Sequence, residues 1–300
     1  MRTASFRHAD YIAQGNRAWL HVEERGEFVA KYDRNPDAQS PAGGASASIA
    51  DMARWLQLHL SDGTLDGQRL IPVAAIRETR SAQIEREPAA QSPSGKASYY
   101  ALGWNYSEDS KGRPKNDHSG AFALGAATCV NIAPDQGLGI VVLTNGSPIG
   151  LPEAVATTFM ELALDGAVSQ DWLALYSNGI REQSEEEFKG STDYSAPPKQ
   201  PAPAQLASTY TGRFTNPFYG EISIVEQIDK LYLLLGPQRT AYLMQHWNGN
   251  QFVFQLSGKN AIKTSGILFT FGAGTGEQSA RVRIEYLDQK GEGDFARVAG

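Results

Sequence analysis

The sequence predicts an α+β fold that gives way near residue 205 to an all-β fold. Three observations carry this. Residues 118–145, HSGAFALGAATCVNIAPDQGLGIVVLTN, hold three apolar, β-branched runs separated by small-residue turns, the pattern of three adjacent antiparallel strands. Apolar residues recur at helical spacing on either side of that stretch. From Leu206 onward the texture changes to short alternating runs divided by turns, the pattern of an antiparallel barrel or sandwich.

In chain order, residues 1–40 are polar and without a strong period, which predicts loop with a short strand or two. Pro41-Ala42-Gly43-Gly44 is turn chemistry. Ser48, with Asp51 three residues on, forms a capping box for a helix through Ile49, Met52, Ala53, Leu56 and Leu60, ended by Asp62-Gly63. Leu65 to Leu70 is a turn, and Pro72 suits the first position of a second helix reaching about Arg80. Residues 85–98 are polar and Pro/Ser-rich and read as a surface loop; Tyr99 to Tyr106 reads as a strand. After the three strands, Pro152 opens an amphipathic helix through Leu151, Val155, Phe159 and Leu162, closed by Gly166. Residues 182–204 are acidic, then Pro-rich, and read as a stiffened linker. The later runs are Glu221–Val225, Leu231–Leu235, Thr240–Met244, Phe252–Leu256, Ile267–Phe271 and Arg281–Leu287, with a turn at Asn248-Gly249-Asn250.

Composition narrows the function classes. At 300 residues and 41% apolar content the chain can bury ample core, enough for about two domains. A net charge of −6 gives no electrostatic footprint for nucleic acid or an anionic membrane. The N-terminus MRTASFRHADYIAQG has no apolar targeting core, and no run approaches a membrane span, so a soluble, unexported chain with no membrane partner is expected. The one cysteine, Cys129, sits in an apolar strand run and reads as an inert core thiol.

His118-Ser119-Gly120, the strands that follow it and the upstream PAGG resemble the closing half of the serine β-lactamase, penicillin-binding-protein and esterase superfamily. YTGRFTNPFYGEISI, LYLLLG and HWNGNQFVF are similar to the lipocalin-like accessory domain often fused after these hydrolases. Together the resemblances span nearly the whole chain. They imply a partial β-lactamase-like antiparallel sheet with helices over residues 1–166, a helix and Pro-rich linker over 167–204, and a lipocalin-like β-barrel over 205–300. In the family a serine attacks a lactam, ester or amide carbonyl, a lysine one helical turn later takes its proton, and a tyrosine assists. Carried over by position, His118 faces the cleft, Ser119 hydrogen-bonds the substrate, Gly120 leaves room for it, and Ala121 supplies an oxyanion N–H. No cofactor is implied.

Nowhere in the 300 residues is there a Ser-x-x-Lys. Met1-Arg2-Thr3 resembles the Leu-Gly-Met-x-x-Thr segment found midway through these hydrolases, so an upstream half carrying the nucleophile is expected. The chain alone is then expected to be inactive. A small-molecule or peptide substrate enters only when that half is supplied, and an uncovered sheet edge invites homo-oligomers. Two other readings stay open: a barrel that binds a small amphiphile or peptide without turnover, and an orphaned structural remnant.

Several motifs read as coincidence. Tyr176-Ser177-Asn178 matches the family's Tyr-x-Asn but follows His-Ser-Gly, the reverse of the family order, and ends a helix. Lys263-Thr264-Ser265-Gly266 lies in the barrel, and Phe271-Gly272-Ala273-Gly274-Thr275-Gly276 has no helix after it to cradle a phosphate. His8-x-Asp10 and His21-x-Glu23 lack a third ligand at a recognisable spacing, so no metal is expected. Glu182 and Glu185 to Glu187 read as a solvated charge run, and Trp247 beside His246 as barrel core.

Overall fold

The structure, a computed structural model, describes residues 1–24, 26–92, 95–187, 192–196, 198–256, 264–272 and 278–298. Lys263 and residues 273–276 of the two decoy motifs lie outside the described residues. The chain divides into two units, Met1–Gln183 and Ser184–Gly300.

In the first unit the polar N-terminal stretch makes a short helical turn, His8–Ile12, and a hairpin of β1 (Leu20–Glu24) with β2 (Glu27–Tyr32). The turn expected at PAGG is one turn of helix, Ser40–Gly43. Helix α1 (Ile49–Leu60) starts where its cap dictates: Ser48 is extended and its Oγ accepts from the Asp51 N–H at 3.2 Å. The capping box is one-sided. Asp51 turns instead to the start of the chain and accepts from the Thr3 hydroxyl at 2.5 Å, Arg2 N–H at 2.7 Å and Thr3 N–H at 2.9 Å. Those bonds, the Thr3 hydroxyl foremost, hold its carboxyl at about 2. Helix α2 (Val73–Arg80) follows, with Pro72 at the cap rather than the first helical position.

Strands β3 (Ile84–Glu87), β4 (Ser98–Tyr100), β5 (Asn105–Glu108), β6 (Pro114–Phe122), β7 (Ala126–Ala133) and β8 (Leu138–Thr144) form one antiparallel sheet in chain order. Two expectations need correction. The region read as loop contributes β3, an edge strand whose mostly exposed IERE sequence carries no burial signal. The single strand expected from Tyr99 to Tyr106 is two, broken at Gly103, whose φ of +88° few side chains tolerate. Strands β6 to β8 follow the three predicted runs, with β6 reaching back to Pro114, a position where a strand accepts proline.

Helix α1 packs on one face of this sheet, where Leu56, Trp104 and Ile132 share a core. Gly139 on β8 makes that approach possible, because a Cβ there would stand 2.9 Å from Ile132 Cγ2 and 3.0 Å from Leu56 Cδ1. Helix α3 (Leu151–Asp165) packs on β7 and β8 from the other face. It buries Pro152, Ala154, Ala156 and Met160 and exposes Leu151, Val155, Phe159 and Leu162, the residues by which the sequence pattern marks the helix. The smaller residues lie inward, letting the helix approach the sheet closely. Helix α4 (Trp172–Glu187) runs well past Asn178 into the acidic stretch, so Tyr176 lies within a helix, not at its end.

The second unit is a nearly closed antiparallel barrel of nine strands: β9 (Gly212–Asn216), β10 (Gly220–Gln227), β11 (Lys230–Leu235), β12 (Thr240–Leu243), β13 (Gln245–Asn248), β14 (Gln251–Gln255), β15 (Thr264–Thr270), β16 (Arg281–Ile284) and β17 (Asp294–Arg297). Its spatial order is β12-β11-β10-β9-β17-β16-β15-β14-β13. The two end strands are consecutive in sequence. The run Thr240–Asn248 bends at Met244, its first half pairing with β11 and its second with β14, and so brings the two sheet edges together. The interior is filled by Tyr210, Phe214, Ile222, Leu233, Phe254 and their neighbours. Part of the Pro-rich stretch, expected to be a linker, lies on this barrel: Gln251 donates to the Tyr194 hydroxyl at 2.9 Å and Ala202 N–H to Asn248 at 2.8 Å.

Candidate active site

The candidate residues sit where β6 loses one neighbour. β5 pairs with β6 only from Pro114 to Asp117, whereas β7 pairs with it from Asn116 to Phe122. From His118 to Phe122 one flank of β6 is therefore open. Two turns fix which backbone groups face it. Asp109 N–H donates to Arg113 in the β5–β6 turn, and Gly125 N–H to Phe122 in the β6–β7 turn. Both set the same alternation: His118, Gly120 and Phe122 turn their amides to β7, and Ser119 and Ala121 turn theirs to the open side. An amide on an open edge is free to bind a carbonyl oxygen, and His118, Ser119, Gly120 and Ala121 are all exposed.

Successive side chains point to opposite faces. His118 lies on the α1 face, and its Nε2 is 3.3 Å from the Tyr100 hydroxyl, with the two rings edge-on. Ser119 lies on the α3 face, where its hydroxyl donates to Glu153 in the first turn of α3. The other Glu153 oxygen is buried without a partner. Gly120 faces Thr128; a Cβ would stand 3.2 Å from Thr128 Oγ1. The strand thus brings the four predicted residues together, but splits His118 and Ser119 between faces. Tyr100 and Glu153 were not singled out from sequence: neither belongs to a motif, and only the sheet and helix packing bring them to β6.

The remaining candidates fall elsewhere. The Tyr176 hydroxyl is 3.0 Å from that of Thr157, and burial raises its pKa. Cys129 is buried, and desolvation, with the carboxylates of Asp117 and Glu153, pushes its thiol up to about 12, the signature of an unreactive thiol. His21 Nδ1 lies 2.8 Å from the Trp19 carbonyl and His8 Nε2 is 3.6 Å from Asp33. Among the described residues no three histidine, cysteine or acidic side chains come together as a metal site. Among the described residues no helix is long and apolar enough to cross a membrane.

The chain is similar to several penicillin-binding proteins. Penicillin-binding protein 4 of Amycolatopsis lactamdurans is 29% identical over 203 residues, 64% of this chain, and the chain spans 45% of that relative's length. Among solved structures, the C-terminal domain of a penicillin-binding protein is 27% identical over 36% of this chain and all of that one, with a TM-score of 0.31. The octameric penicillin-binding protein homologue from Pyrococcus abyssi is 14% identical over 95% of this chain and 55% of that one, with a TM-score of 0.45. Residues 196–295 match a domain of unknown function, DUF3471. Residues 2–165 match the Beta-lactamase family, and the chain belongs to that family.

Proposed function

We propose that the first unit is the cleft-strand part of a serine hydrolase that acts on lactam, ester or peptide carbonyls once a Ser-x-x-Lys is supplied from outside these 300 residues. The open flank of β6 is the observation that carries this reading. A carbonyl laid along it meets the Ala121 N–H, which is oriented to stabilise a developing oxyanion. Gly120 adds no side chain between that amide and the His118 face. His118, held by Tyr100, then stands where it can exchange a proton with the reacting group or its leaving group. Ser119 reaches a substrate only by leaving Glu153, so its part is conditional on a rotamer change. The relative named for penicillin binding supports a lactam-like substrate class.

Without a nucleophile and base, an oxyanion donor and a histidine have nothing to act on. The purified 300-residue chain is therefore expected to leave a chromogenic cephalosporin and short nitrophenyl esters intact. Fusing or adding a segment that carries Ser-x-x-Lys is expected to confer turnover. Hydrolysis by the chain alone that disappears in His118→Ala would overturn the reading, since an unrecognised nucleophile would then be at work. Ligand binding within the barrel receives no comparable support, because aromatic and aliphatic side chains fill its interior.

A further inference from the structure

Beside His118, on the α1 face of the sheet, lies a recess of about 270 Å³. Its walls are Trp55, His59, Leu102, Trp104, His118 and Val130. The sequence dictates each wall. Trp55 and His59 are four residues apart and share one face of α1. Trp104 and Leu102 flank Gly103, whose positive φ turns the chain between β4 and β5. Val130 is the cross-strand partner of His118. The Trp55 and Trp104 rings are stacked, with centroids 5.4 Å apart and planes 13° apart, and the His59 ring meets Trp55 at 4.4 Å and Trp104 edge-on at 5.2 Å.

We propose that this recess is a binding pocket for a small neutral aromatic ring. Size sets the upper limit: an apolar cavity of about 150 Å³ takes a benzene, and drug-sized ligands need roughly 300–1,000 Å³, so one ring with a short substituent fits. Charge sets the class. Among the described residues no lysine, arginine or carboxylate lines the recess. Arg80, behind His59, is engaged by Asp62 and the His59 carbonyl, so it offers an incoming anion little. Burial above all, with the positive charge of Arg80, depresses His59 to about 4, leaving a neutral imidazole, so no charge on the wall compensates the desolvation of an ionic ligand. The two indoles stack on each other instead of facing across a gap, so they do not form opposite walls of a cage for an ammonium group. The polar capacity suits a single hydroxyl or carbonyl. His59 is buried, and its Nδ1 has no hydrogen-bond partner. Thr79, also at the wall, spends its hydroxyl proton on the Ile76 carbonyl and can only accept.

The pocket rests on the proposed hydrolase only for its meaning, as the place where an aryl substituent of the substrate sits beside the reacting carbonyl. Binding itself needs no nucleophile. The 300-residue chain is titrated with p-cresol, benzoate and benzyltrimethylammonium, with ligand-observed NMR and tryptophan emission as readouts. Saturable p-cresol binding is expected, at least 10-fold tighter than either ion. Leu102 is 58% exposed, so Leu102→Asp should fold normally. It removes an apolar wall and adds a charge, and is expected to weaken p-cresol by about 10-fold. Leu143→Asp, on β8 and outside the pocket, should leave the affinity unchanged. Absence of saturation, equal binding of the ions, or indifference to Leu102→Asp would each overturn the proposal. If p-cresol binds but His118→Ala leaves the turnover of a restored enzyme intact, the hydrolase reading falls and the pocket stands; the converse pair of results separates them the other way.

Discussion

Asp51 and His118 show two ways a single residue can be read. His118 stood out as a candidate because it begins a triplet followed by three strand-like runs; Tyr100 did not, since it lies two strands away on β4 and only the sheet brings its hydroxyl to 3.3 Å from the His118 ring. Asp51 was assigned to a capping box, yet its carboxylate is taken by Arg2 and Thr3, 49 and 48 residues away in the chain. No local pattern reports a partner at that distance. Its consequence is testable by pH. A carboxyl held at about 2 when folded, against roughly 3.9 when unfolded, contributes stability that is complete above pH 4 and is lost as pH falls toward 2. Asp51→Asn should therefore flatten the acid limb of stability between those values, measured by denaturant melts at stepped pH; an unchanged slope would refute the linkage. For the site, His118→Ala in a restored enzyme should lower turnover by roughly 10²-fold, the scale for a positioned proton-transfer group. Tyr176→Phe should leave turnover unchanged, because that hydroxyl is bonded to Thr157 within the α3–α4 contact. A large loss from Tyr176→Phe with the fold intact would reverse the assignment.

Among the elements, α3 separates what periodicity can say from what it cannot. Helical spacing located the helix, and Gly166 closes it as expected. The residues that mark the period, Leu151, Val155, Phe159 and Leu162, are the exposed ones, and smaller residues between them are buried. The sheet is covered by Pro152, Ala156 and Met160, with Phe159 38% exposed. Ala156→Leu should then cost about 1–3 kcal/mol through overpacking, whereas Phe159→Ala should cost about 1 kcal/mol or less. Thermal melts of the two variants decide it. A larger loss from Phe159→Ala would mean that the exposed stripe is covered in solution. Strand β3 was missed for a related reason: an edge strand buries little, so its residues carry no alternating apolar signal.

At the scale of the whole molecule, the two units differ in how completely they close. The barrel was legible as a class because its runs are short and divided by turns, and strands such as β11 and β16 alternate between core and solvent; among the described residues three of its nine strands were missed. Of these, β13 is the continuation of a predicted run past the bend at Met244, a joint that alternation does not mark. That bend leaves the barrel almost without free edges, and Arg297 on β17 binds the segments before its neighbours β9 and β16 by donating to the carbonyls of Thr211 and Ser279. The sheet of the first unit has no such closure: β8, a seven-residue strand of mostly apolar residues, forms one edge. An open apolar edge favours pairing with another chain. We expect fragment 192–300 to be a monomer with a single sharp melting transition. Fragment 205–300 should also fold, but melt at a lower temperature, having lost the contacts of Tyr194 with Trp247 and Gln251 and of Ala202 with Asn248. Fragment 1–183 is expected to associate. Pro substituted for Val141, in the middle of β8, removes one backbone N–H and serves as the control. If the fragment associates through that edge, Val141→Pro should shift it toward monomer in light scattering. Association that persists in Val141→Pro, with circular dichroism showing the sheet retained, would assign the contact to another surface, and a sharply melting monomeric 1–183 would show that the edge needs no partner.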